Sequence, residues 1–327
     1  MDFLSVPLGY LISLINGLVG NYGFSIVIFT IILKFLMFPF YIKQQKSIAR
    51  MSVFNPLINE INKKYSSNLQ KRNEELQKFY SNYNLNPGAG CLTTIVPMIF
   101  FIGMYGVVMK PLNFVLNMDS EIINKAIEIF KNFHATMFAG LGPRAMRNIL
   151  STVQLGVIND ALSSPDHYQV LGSKFLNSIN SFDLNFLGLN LSEKASLTSI
   201  TLIVPILSMA FSFLQMFIMI KQNNMQTNVK FGKVIMYVSP IFSFFIGFSA
   251  PLALSIYWMT NYVVQIFQSL FLNKFCNFED IKKQTMLELD RIRKNKKSDG
   301  LTSKQSKISN KERLNLARKH LQNVFDD

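Results

Sequence analysis

Lys34 stands alone in the otherwise uncharged run Tyr22–Tyr41. An ammonium in the middle of a bilayer costs about 2.5 to 3.5 kcal/mol on insertion scales, so something polar must face it. The next charge is Lys43, nine residues on, or roughly 13 Å along a helix rising ~1.5 Å per residue. Two readings stand. A tilted helix could let the lysine reach the headgroups by snorkelling, which recovers part of that depth. Alternatively the charge is kept for function and faces a wet cavity inside the membrane. The chemistry available there is attraction of an anion. Bond-making chemistry has few candidates: the cysteines are Cys91 and Cys276 and the histidines His134, His167 and His320, with no ligand set at metal spacing. No Walker loop, dinucleotide fingerprint or nucleophile elbow is present. No enzyme, cofactor or metal is expected.

The elements that must carry Lys34 are apolar. The chain is 49% hydrophobic and 13% aromatic, with 30 Phe. A span needs about 20 apolar residues, and the uncharged stretches Cys91–Met109, Ala195–Ile220 and Val234–Asn273 join the first run. The last holds Gly247, Ala250 and Pro251 near its middle and reads as two helices with a tight turn. Five spans are expected, at about 22–42, 91–110, 196–220, 233–249 and 252–273. Loops rich in lysine and arginine stay in the cytoplasm. Lys43–Gly90 carries 8 basic residues against 3 acids, Lys221–Lys233 carries 3 against none, and Lys274–Asp327 carries 14 against 8. The loop Pro111–Lys194 has 6 against 7. The N-terminus is therefore expected outside and the C-terminus inside. The net charge of +14 is then mostly cytoplasmic, where anionic lipid and ribosomal RNA are both suitable partners.

Residues 1–20 place Leu4, Leu8, Leu11, Ile12, Ile15, Leu18 and Val19 at helical spacing, which suits an amphipathic helix on the outer leaflet. A signal peptide would begin with basic residues, and this segment begins with Asp2. An uncleaved hydrophobic segment is the other reading. In the cytoplasmic stretch 43–86, Ile48, Met51, Phe54, Leu57, Ile58, Ile61 and Tyr65 form one stripe. Leu69, Leu76, Phe79, Tyr80 and Tyr83 form a second. Ser66, Ser67 and Asn68 between them supply turn and cap chemistry, so an antiparallel helical hairpin is expected, with Pro56 a threat to its first helix. The tail 276–327 is basic and reads as a lipid- or RNA-attracted segment.

These pieces occur in a specific order: a lone cation in IVIFTIILKFLMFPFYIKQQKS, a hairpin, NPGAGC at the mouth of the second span, FLGLNLSE before the third, and SAPLALSIYWMTNYVVQIFQ in the fifth. The order resembles the YidC/Oxa/Alb family of membrane protein insertases, over about Leu4 to Lys274. The resemblance implies an all-α polytopic membrane protein whose five transmembrane helices surround a polar groove open to the cytoplasm and lipid. Such proteins take nascent membrane proteins from the cytoplasm or ribosome into the bilayer without nucleotide hydrolysis, alone or beside a Sec translocase.

On matching positions, Lys34 takes the groove cation's place and Thr30 lies one turn from it on the same face. Gln215 and Trp258 match groove-lining positions, with Tyr257 and Asn261 beside Trp258. Thr30 could instead bond a carbonyl of its own helix. Gln215 and Trp258 could serve packing alone.

The chain departs from the family pattern in three places. Lysine replaces the usual arginine, which holds its proton more firmly. The second span has Leu92-Thr93-Thr94 and then Pro97-Met98-Ile99 where an early proline and a later glutamine and proline are expected. The outer loop 111–194 is long, with helical pieces near 121–138 and 147–159. A multi-pass protein of a bacterial plasma membrane, of the Gram-positive type, is the natural inference. A transporter or channel subunit for anionic solutes and a membrane scaffold remain the alternatives.

Overall fold

The computed structural model describes residues 2–83, 85, 99, 102–150, 153–223, 230–275 and 279–291. In hydrocarbon every backbone polar group must find an internal partner, which favours helices, and the described chain is mostly helical. In order come α1 (Asp2–Val19), α2 (Tyr22–Leu36), α3 (Phe38–Lys64), α4 (Leu69–Asn82) and α5 (102–109). Then follow α6 (Pro111–Phe114), α7 (Ser120–Phe133), α8 (Ala135–Phe138), α9 (Pro143–Leu150), α10 (Gln154–Ser163), a 3-10 turn Pro165–Leu171 and α11 (Ser173–Asn180). A small antiparallel hairpin of β1 (Asn185–Phe186) and β2 (Leu189–Asn190) precedes α12 (Ile203–Asn223), α13 (Lys230–Ser249) and α14 (Leu252–Phe275). The last described helix, α15, covers 279–291. The chain divides into two compact units, residues 1–47 with 86–276, and residues 48–85 with 277–327.

In the first unit, helix α1 packs on α2 through Leu8, Ile12 and Ile15 while Tyr10, Leu14 and Leu18 point outward. Its Ser5 and Ser13 hydroxyls donate to the carbonyls of Gly103 and Val115 at 3.0 and 2.8 Å. Asn21 opens α2 by accepting from the Phe24 amide at 3.1 Å, and its own amide donates to Asp183 at 2.6 Å and to the Asn185 carbonyl at 2.7 Å. The β-hairpin was not anticipated from the sequence. Its turn places Leu187 and Gly188 at φ +52° and +81°, the left-handed geometry a two-residue hairpin loop requires. Phe186 then lies on α2 directly against Gly23, where a Cβ would collide with its ring.

The segment after the hairpin also starts α14. The Leu252 and Ala253 amides donate to the carbonyls of Glu193 and Leu191 at 2.7 and 3.0 Å, satisfying donors that a helix start leaves open. The break between α13 and α14 falls at Ala250–Pro251. Helices α7, α10 and α11 and the 3-10 turn form a cap whose buried Phe130, Leu155, Val157, Ile158 and Tyr168 share one core with Tyr22, Ile26 and Phe29 of α2. Buried Gln154 ties this cap down, accepting from the Leu112 amide at 3.0 Å and donating to Asn113.

Among the described residues, Ile200–Lys221 is the one helix long and apolar enough to cross a membrane by itself. The α2–α3 pair qualifies together but bends by 57° at Met37, five residues before the end assigned to the first span from sequence. Helix α14 has the length, 24 residues, but Thr260, Asn261, Gln265, Gln268 and Ser269 interrupt its apolar run. Half of the second expected span, including Leu92-Thr93-Thr94 and Pro97-Met98, and the NPGAGC segment lie outside the described residues, as does the tail beyond 291.

The second unit is built on the hairpin. Helix α3 continues through Pro56 without a break, and Asn68 caps α4 by accepting from the Lys71 amide at 2.9 Å. Phe54, at 2% exposure, packs with Leu85 and Leu289, and Phe79 and Tyr83 close around it. Leu289 comes from α15, which Arg50 also holds through both oxygens of Glu288 at 3.2 and 3.1 Å. The start of the tail is thus a third helix on the hairpin.

Candidate functional site

Helix α2 carries Thr30 and Lys34 four residues apart, so they share a face. They differ in surroundings. Thr30 is 1% exposed and its hydroxyl donates to the Ile26 carbonyl at 2.6 Å, the backbone bond available to a helical threonine. Lys34 lies in the last turn of α2 and is half-buried. Among the described residues, no carboxylate forms an ion pair with it. A cation placed there can attract an acidic group brought from outside.

Helix α14 packs along both α2 and α12 and positions the remaining candidates. Tyr257 is buried at 6% exposure, while Trp258 and Asn261 are half-buried. The Trp258 indole stacks on Tyr262 at 6.0 Å and tilts against Tyr257 at 6.0 Å. Gln215 is half-buried on α12. On the α12–α13 contact, Ser208, seven residues before Gln215, shares a buried hydrogen bond of 3.1 Å with Ser243.

The level of Lys34 on α14 is set by Gln268, whose amide donates to the Lys34 carbonyl at 2.9 Å. Trp258 lies ten residues before Gln268, about 15 Å along a helix. The two backbones therefore do not bring Lys34 and Trp258 side by side. Helical side chains lean toward the N-terminus of their helix, and for Lys34 that is the direction of Trp258. Asn261 is nearer, seven residues from Gln268.

Sequence reasoning missed a polar seam on the C-terminal half of α14. Besides Gln268, Ser269 shares a hydrogen bond of 2.7 Å with the Tyr41 hydroxyl, and Gln45 and Gln265 also bond Tyr41. Gln265, Gln268 and Ser269 stand at i, i+3 and i+4, and that spacing on one helix face was the available signal.

A second polar cluster lies in the cap. Asp160 faces His134 Nε2 at 3.0 Å and His167 Nδ1 at 3.8 Å, and accepts from the Tyr168 hydroxyl at 2.8 Å. Burial, with the Asp160 carboxylate beside it, pushes the Tyr168 phenol well above its ordinary value. Among the described residues no group of His, Cys, Asp and Glu is arranged to hold a metal ion.

The family model described as 60Kd inner membrane protein matches residues 14–280. The membrane protein insertase YidC of Oceanobacillus iheyensis is 27% identical over 277 residues, covering 82% of this chain and 81% of that protein. The protein of the same name from Fusobacterium nucleatum is 25% identical over 273 residues, covering 84% and 96%. In Caldanaerobacter subterraneus the likeness is 39% over 99 residues, covering 30% of this chain and about half, 48%, of the relative.

Proposed function

Because the chain belongs to the 60Kd inner membrane protein family, we propose that it works as a membrane protein insertase, taking nascent membrane proteins into the lipid bilayer. The observation that carries this is the family match across residues 14–280, which favours insertion over solute transport or scaffolding. The protein resides in the membrane and acts without enzymatic chemistry. In this reading five spans surround a polar groove, the N-terminus lies outside, and the C-terminus lies in the cytoplasm of a bacterial cell.

Lys34, Gln215, Trp258 and Asn261 line the groove, and the buried Thr30 and Tyr257 form its wall. A hydrated concavity shortens the apolar distance a polar segment must cross, which lowers its desolvation barrier. Lys34 attracts acidic residues of the segment moving outward. Release follows because lipid borders the open side and an apolar helix partitions into it. The hairpin 43–86 receives clients as a docking surface, and the basic tail 276–327 holds the ribosome, including its RNA, by contacts that weaken with salt. Cooperation with a Sec translocase belongs to the same reading.

The test is insertion of a single-span client with an acidic outward segment into liposomes holding wild-type, Lys34→Arg or Lys34→Ala protein. Wild-type and Lys34→Arg should insert it. Lys34→Ala should lose about tenfold or more, the effect of roughly 1.4 kcal/mol. Equal insertion by all three removes the role of Lys34. No gain over empty liposomes removes the insertase reading itself.

A further inference from the structure

The bend at Met37 is tied on both sides to consecutive residues of one neighbouring helix. Before the bend, the Lys34 carbonyl accepts from Gln268 at 2.9 Å; after it, Tyr41 bonds Ser269 at 2.7 Å. Gln268 and Ser269 are 8% and 4% exposed, and Phe38 sets its ring edge against Phe271 at 5.9 Å. The bend has an identifiable cause. Pro39 has no amide hydrogen, so the Phe35 carbonyl loses its usual donor four residues on. The Met37 amide keeps its ordinary bond to the Leu33 carbonyl and shares its hydrogen with the Phe35 carbonyl. A helix end with freed carbonyls is a soft joint, and an unmet carbonyl in hydrocarbon is costly. Lys34 sits in the last turn before that joint, and its own carbonyl takes the Gln268 tie, so the hold on the joint is also a hold on the backbone that carries the ammonium.

We propose that Gln268 and Ser269 are positioning residues that clamp the α2–α3 bend from both sides and thereby hold Lys34 where an acidic client segment meets it. This rests on the reading of Lys34 as the cation that attracts such segments. Neither residue touches the client, so both act through Lys34, and their effect is confined to clients whose outward segment is acidic. A side chain needed only for packing would serve all clients alike.

The experiment uses the full chain in liposomes with two clients, one with an acidic outward segment and one with the acids replaced by Asn and Gln. Gln268→Met keeps length and removes the donor; it is made with Lys34 present and in the Lys34→Ala background. With Lys34 present, insertion of the acidic client should fall about 3- to 10-fold, as for residues in direct contact, and the neutral client should be unaffected. In the Lys34→Ala background the substitution should change neither client further. Equal losses for both clients, or the same loss without Lys34, overturns the proposal. If Gln268→Met does not fold, Ser269→Ala and Tyr41→Phe, which break the second tie, must give the same client-selective loss. Their failure to do so while still resisting proteolysis overturns it equally. A wild-type protein that inserts neither client removes the insertase reading and the clamp with it. A Lys34→Ala protein that inserts both clients normally overturns only the clamp and its premise.

Discussion

At the scale of single residues, type alone does not define a role. Thr30 and Lys34 share a helix face, yet Thr30 spends its hydroxyl on Ile26 while Lys34 keeps its ammonium out of any ion pair among the described residues. The spacing of the two was legible in the sequence, and their different environments were not, because burial depends on which helices pack beside α2. Gly23 makes the same point more sharply. Its missing side chain admits the Phe186 ring, whereas Gly17 on α1 has nothing within 4 Å of an added Cβ. Gly23→Ala should destabilise the protein by about 1–3 kcal/mol, the range for overpacking a core. Gly17→Ala should be neutral or stabilising, since alanine is the better helix former. Thermal unfolding of both variants in detergent checks the contrast; similar melting temperatures would refute it.

At the scale of elements, local signals and long-range packing divide the work. Asn68 was readable as a cap, because its partner is three residues away at Lys71. The α15 contribution to the hairpin core was not, since Leu289 and Glu288 meet Phe54 and Arg50 across more than 200 residues of chain. Leu289→Ala should therefore loosen the hairpin, costing about 2 kcal/mol at the low end for a buried leucine in a small cluster. Limited proteolysis of the intact protein should then cut faster within 48–85 than in wild type. Unchanged cleavage there would mean that α15 adds nothing to the hairpin. The β-hairpin at 185–190 belongs to the same lesson: FLGLNLSE was legible as a motif, but its contact with Gly23 and its capping of α14 arise only once α2 and α14 lie beside it.

At the scale of the whole molecule, the cap shares one core with helices α1, α2 and α14, so weakening the cap weakens the first unit. The buried Tyr168, bonded to Asp160, predicts a pH dependence with a definite sign. Its phenol is held neutral in the folded state beyond the ordinary value near 10. Below about pH 10 both states are protonated and the contribution is constant. Above it the unfolded chain ionises first, so stability falls as pH rises. Tyr168→Phe should flatten that alkaline slope in urea unfolding of the first unit; an unchanged slope would assign the alkaline loss to other groups.

What the sequence by itself determined is the mostly helical character, the membrane setting and the family. These follow from runs of apolar residues, the placement of charge and the order of short motifs, all of which are local or compositional. Tertiary structure alone decided the bend at Met37 and its two ties to Gln268 and Ser269, the strand pair and the segment after it that starts α14, and the third helix on the hairpin. Each depends on contacts between segments distant in the chain. Such contacts are selected by the burial of whole helix faces, so no window of sequence contains them.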